Sequence, residues 1–83
     1  MEVKVLGPGC AKCVKQYAEA EKAITLSGIP ASLIKVEKID EIIGHGVMMT
    51  PALIVDNEVK ASGRIAYAAD IVGWLTTAAA KRD

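Results

Sequence analysis

Apolar residues recur along this chain with two different periods, and the switches between them lay out its elements. Val3, Val5 and Leu6, interrupted by Lys4, predict a short, mostly buried strand that stops at Gly7-Pro8-Gly9. From Ala11 to Ser27 good helix formers dominate. Cys13, Tyr17, Ala20 and Ile24 recur there at gaps of four, three and four, so one stripe of that helix should be buried. Gly28 suits a C-terminal cap and Pro30 discourages continuation, after which "ASLIKVEKI" reads as a second strand. Asp40 can cap a short helix carrying Ile42 and Ile43, which Gly44 and Gly46 break early. "PALIVDNEVKASG" reads as two strands around a turn at Asp56-Asn57-Glu58. Ile65, Ala68, Val72, Leu75 and Ala79 return to helical spacing and predict a last helix from Ile65 to about Ala80.

The predicted order is βαβαββα. Strand-helix-strand at the start implies a parallel pair, and the hairpin adds antiparallel strands, giving a four-stranded mixed sheet. Strands as apolar as "ALIV" need cover on both sides, so helices should lie on both faces of an α/β fold. At 83 residues, with no repeat or low-complexity run, residues 1–83 are expected to form a single domain.

Composition narrows the function classes. Ten Lys+Arg balance ten Asp+Glu, which gives no attraction to phosphate backbones or anionic lipid, so neither a nucleic acid nor a membrane partner is expected. With no Phe, the core must be built from Ile, Val, Leu and Ala. The N-terminus "MEVKVLGPG" has neither a basic n-region nor a long apolar run, and a cytoplasmic location and a monomer are the expectation.

The chemistry is concentrated in "GCAKC". A structural disulfide there would close a four-residue loop, which removes only about 2 kcal/mol of unfolded-state entropy against about 4.7 for a 100-residue loop. A zinc site would want four ligands, and besides the two thiols the chain has the single His45, so only a site shared between chains would complete the shell. A redox pair fits the position better. Cys10 falls at or just before the first turn of a helix, where unpaired N–H groups and the positive helix end stabilise a thiolate, and Lys12 adds a nearby positive charge. Cys13 lies one turn later at the head of the apolar stripe. It should be shielded and placed to resolve a mixed disulfide made by Cys10.

Thr50-Pro51 places a proline at the start of an apolar strand, where its missing N–H is tolerated. "GCAKC" after the first strand and "GVMMTPALIV" before the hairpin resemble the thioredoxin-fold superfamily, most closely the small prokaryotic thioredoxin-like proteins called redox-active disulfide proteins. The resemblance covers nearly all of the chain. It implies a thioredoxin-like fold of about glutaredoxin size and a cis Thr50-Pro51 bond beside Cys10, with the Thr50 backbone pairing to an extended substrate segment. In the superfamily that proline also keeps metal away from the thiols, so no metal and no cofactor beyond the Cys10-Cys13 couple are implied. The electron donor implied is a thioredoxin-reductase-like flavoprotein or a low-molecular-weight thiol, and the substrates are protein disulfides. Two departures stand out. Gly9 replaces the aromatic that precedes the first thiol in thioredoxin proper, and apart from Glu2 the first strand holds no acid to take the proton of Cys13.

Other residues carry weaker readings. Met48 and Met49 could form an adaptable apolar rim for a partner, with Met49 the nearer to Thr50, while core filling is expected of at least one of them. His45, between two glycines, is expected on an exposed loop, Tyr17 packed under the first strand, and Trp74 half exposed on the last helix. Together these readings point to a thiol-disulfide oxidoreductase. Two rivals use the same residues: a Cu(I) carrier holding a soft ion between two thiolates, and a catalytically idle interaction module. The first normally has Met before the thiols and ends in a strand, whereas here Gly7-Pro8-Gly9 precede Cys10 and the chain is predicted to end in a helix.

Overall fold

The computed structural model describes residues 1–81. The elements follow the predicted order: β1 (Glu2–Leu6), α1 (Ala11–Ser27), β2 (Ser32–Val36), α2 (Ile39–Gly44), β3 (Ala52–Val55), β4 (Glu58–Ser62) and α3 (Ala68–Ala80). The strands align as β2-β1-β3-β4, with β1 and β2 parallel and the other neighbours antiparallel. This is the expected four-stranded mixed sheet of a thioredoxin-like α/β fold.

Alternation along the strands sorts the core into two layers. Val3 and Val5 of β1 and Leu53 and Val55 of β3 meet Ala20 and Ala23 of α1 and Ile71 and Leu75 of α3. Small alanines on α1 let the helix approach the sheet closely, which is how a chain without Phe fills this layer. On the other side Leu6, Val36, Ala52 and Ile54 are covered by Ile42 of α2 and by Val47. All four residues of β3 are thus buried, which explains its uninterrupted apolar run.

Several boundaries differ from the sequence expectation. Strand β2 stops at Val36, short of Ile39. The N-cap of α2 is Lys38 rather than Asp40; Asp40 and Glu41 instead occupy the first turn, where acids suit the positive helix end. Helix α3 starts at Ala68, not Ile65, because the preceding residues are held by side chains of α1 described below. Asp56 and Asn57 alone form the hairpin loop, both with positive φ (46° and 69°) as a primed two-residue turn requires, and Glu58 already belongs to β4. Gly28 closes α1 as expected, in the left-handed region.

Candidate active site

The parallel pair delivers both thiols to one end of the sheet. Strand β1 ends at Leu6, Gly7 donates its N–H to the Val36 carbonyl at 2.9 Å, and the chain then turns through Pro8 and Gly9 into α1. Gly9 adopts φ 98°, a conformation that any side chain would strain. Cys10 is the N-cap of α1, with extended backbone (φ −69°, ψ 170°), and Val14 donates to its carbonyl at 3.0 Å. Its side chain is exposed, whereas Cys13, one turn along, is only 5% exposed. The two sulfurs are 2.9 Å apart, close enough for one thiol to donate to the other.

Their surroundings push them in opposite directions. Cys10 is held below the ordinary thiol value first by the hydrogen bond from the Cys13 side chain, then by the main-chain N–H groups of Cys13 and Lys12 at the helix start. Lys12, singled out for its charge, acts on Cys10 here through its backbone N–H. Cys13 is pushed up, first by desolvation and then by its neighbour Cys10. The donor in the sulfur pair is accordingly Cys13 and the acceptor Cys10.

A feature the sequence reading missed is Gly7. A β-carbon there would overlap the Cys13 sulfur and lie 3.0 Å from its Cβ and 3.9 Å from Thr50 Cβ. The absent side chain is what lets Cys13, β1 and the Thr50 loop converge. The Thr50-Pro51 bond is cis, as the resemblance implied, and Pro51 is fully buried. The Pro51 carbonyl accepts from Gly63 N–H at 3.0 Å and the Met49 carbonyl accepts from Ser62 Oγ at 3.1 Å, so this loop is pinned to the end of β4. The Met49 side chain packs over Gly63.

Neither methionine fills core, contrary to the expectation that at least one would. Met48 is 95% exposed and Met49 63%, and Val47 takes the buried place instead. Met48, Thr50 and Pro8 share an apolar groove of about 540 Å³ with Ile39, Ile42 and Ile43 of α2. The thiols therefore stand beside an open apolar surface.

Two further residues of α1, which the sequence analysis did not single out, tie it to α3. Gln16 is fully buried, and its amide group both donates to the Ala66 carbonyl (2.9 Å) and accepts from Ala66 N–H (2.6 Å). Glu19 accepts from Ala68 N–H at 2.9 Å, which caps the first turn of α3 and lowers the Glu19 carboxyl below its usual range. The signal was available: Gln16 stands three residues from Cys13 and four from Ala20, a polar residue at a core position.

The remaining candidates are placed as follows. Glu2, the acid of β1, lies at the opposite end of that strand from the thiols and is exposed. His45 is half-buried rather than free on a loop; its Nδ1 donates to the Glu41 carbonyl at 2.8 Å and its Nε2 accepts from Lys4 Nζ at 3.3 Å. Tyr17 packs at the edge of the core with Lys35 Nζ 4.7 Å from its ring centre, and Trp74 is half-buried against the same layer. No helix among the described residues is long and apolar enough to cross a membrane.

Comparison with known proteins agrees with this geometry. The chain matches a family described as the thioredoxin domain over residues 1–76. It is 35% identical over 71 residues to a thioredoxin of Methanothermobacter thermautotrophicus, covering 86% of this chain and 92% of that protein. A thioredoxin of Methanocaldococcus jannaschii is 33% identical over 63 residues, covering 76% and 72% respectively.

Proposed function

The chain belongs to the thioredoxin domain family, and on that premise we propose that this thiol-disulfide oxidoreductase reduces protein disulfides by cycling Cys10 and Cys13 between dithiol and disulfide. The observation that carries the reading is the unequal pair: an exposed sulfur with lowered pKa, 2.9 Å from a buried sulfur with raised pKa. Cys10 as thiolate attacks one sulfur of the partner's disulfide, and the other partner sulfur leaves. Cys13 then attacks Cys10, and the second partner thiol is released.

The Thr50 backbone and the apolar rim around Met48 and Met49 are where an extended partner segment would lie, since Thr50 stands beside Gly7 and Cys13. The oxidised protein is returned to the dithiol by a thioredoxin-reductase-like flavoprotein or a low-molecular-weight thiol in the cytoplasm. The Cys10-Cys13 couple itself is the redox centre, with no cofactor. Incubation in glutathione or dithiothreitol redox buffers should reveal one reversible two-electron couple, and the dithiol form should reduce a disulfide-bonded substrate such as insulin. No reversible couple, or full activity in Cys10→Ser, contradicts the proposal.

A further inference from the structure

Outside the Cys10-Cys13 couple the chain has three sulfur atoms, those of Met1, Met48 and Met49. The fold shelters them unequally. Met1 is half-buried against the α1/α3 layer. Met49 is 63% exposed, but its Cβ, Sδ and Cε lie 3.1, 3.4 and 3.0 Å from where a β-carbon on Gly63 would stand, so one flank of its thioether is covered. Met48, at 95% exposed, removes almost no apolar area from water and therefore contributes almost nothing to folding. Packing does not explain why a methionine stands there, two residues before Thr50.

Two-electron oxidation turns a thioether into a sulfoxide, which is polar and chiral and carries a hydrogen-bond acceptor. On Met48 that oxygen would stand on the wall of the groove shared with Pro8, Thr50 and the isoleucines of α2. No side chain lining the groove is charged, and Thr50 is the one that carries a hydroxyl. A partner segment laid over the sulfoxide would strip water from an oxygen for which the isoleucines offer no donor, and that desolvation is unfavourable. In the free protein the same oxygen stays in water. Oxidation of Met48 is therefore felt when a partner docks and not when the chain folds.

We propose that Met48 is a site of oxidation by hydroperoxides, and that its sulfoxide weakens the docking of protein disulfides while leaving the dithiol chemistry intact, an inference that rests on the apolar rim receiving the partner as described above. In the modification Met48 Sδ attacks one oxygen of the peroxide, the S–O bond forms and the O–O bond breaks. The second oxygen leaves as hydroxide and takes the proton of the transferred oxygen, giving water. The sulfur gives up two electrons and the peroxide gains them. A methionine sulfoxide reductase reverses the change, so the site can be switched in both directions.

Closing Cys10 and Cys13 to the disulfide keeps the thiols out of the reaction while hydrogen peroxide is applied. After removal of the peroxide, dithiothreitol reopens the couple and leaves the sulfoxides in place. Tandem mass spectrometry then gives the sulfoxide content at each methionine. Met48 should oxidise within about twofold of the rate of free methionine, and Met49 and Met1 severalfold more slowly. With Met48 converted, reduction of insulin should fall severalfold while reduction of a small aromatic disulfide stays within about twofold. Treatment with methionine sulfoxide reductases should restore the insulin rate. In Met48→Leu, peroxide-treated and untreated samples should reduce insulin at the same rate as each other. Four results overturn the proposal and leave the dithiol cycle standing: Met48 oxidising no faster than Met1, unchanged insulin reduction after full conversion of Met48, equal losses on both disulfides, or the same loss in Met48→Leu. Untreated protein that reduces neither disulfide overturns the cycle itself, and the role of Met48 falls with it.

Discussion

The two faces of the sheet are built to different standards. On the α1/α3 face Leu53, Ile71 and Leu75 are fully closed off, and even Gln16, the one buried polar residue among those described, has both ends of its amide satisfied. The opposite face has a single six-residue helix for cover and leaves Ile39 59%, Ile43 64% and Met48 95% exposed. Burial stabilises in proportion to the apolar area removed from water, so the first face carries most of the stability. The second is free to keep apolar surface beside the thiols, where a partner can cover it.

Substitutions on each face can break or sharpen this contrast. The largest loss is expected from Leu53→Ala, about 2–5 kcal/mol for a closed site that cannot collapse, out of a total of about 5–15 for a domain of ordinary stability. Urea unfolding measures it, and a loss under about 1 kcal/mol would mean the α1/α3 layer is not tightly packed. Gln16→Leu comes next, at about 1–3 kcal/mol in all, because Ala66 N–H and C=O lose their partners. The same unfolding curves should place it below Leu53→Ala or level with it. The smallest effect on stability belongs to Ile43→Ala, within about 0.5 kcal/mol because the side chain is mostly in water already. Its effect should fall on turnover instead, lowering reduction of a protein disulfide severalfold while leaving a small aromatic disulfide unaffected. If Ile43→Ala and Leu53→Ala destabilised equally, the contrast between the faces would be gone.

Much of this was legible in the chain because period and punctuation agreed. Val3 and Val5 before Gly7-Pro8-Gly9, the run of helix formers to Gly28, and "ALIV" behind Pro51 each gave an element whose existence the structure bears out. What escaped depended on contacts distant in sequence. Gln16 took a core position because Ala66, fifty residues on, offers both a donor and an acceptor; its deep neighbours became Ala20 and Ala23, with Tyr17 and Ile24 at the margins. That same clasp holds residue 66 out of a helix and moves the start of α3 to Ala68, although Ile65 fits the apolar period. Gly7 could be read as a turn residue from sequence, but its closeness to Cys13 and Thr50 exists only once three segments meet. The methionines show the limit of an apolar signal by itself. Hydrophobicity alone does not tell a core residue from a rim residue, and only the short cover over the α2 face decides that Met48 stays outside.

The inequality of the two sulfurs underlies the proposed cycle, and alkylation by iodoacetamide as a function of pH measures it directly, because only the thiolate reacts. In the reduced protein Cys10 should label first, with its rate half-maximal below the ordinary thiol value of 9.0, and Cys13 later and only above that value. Cys13→Ala should return the Cys10 midpoint toward 9.0, since the hydrogen bond from the Cys13 side chain is the largest influence lowering it. Equal rates and a common midpoint for both cysteines, unchanged in Cys13→Ala, would contradict the assignment of an attacking and a resolving sulfur.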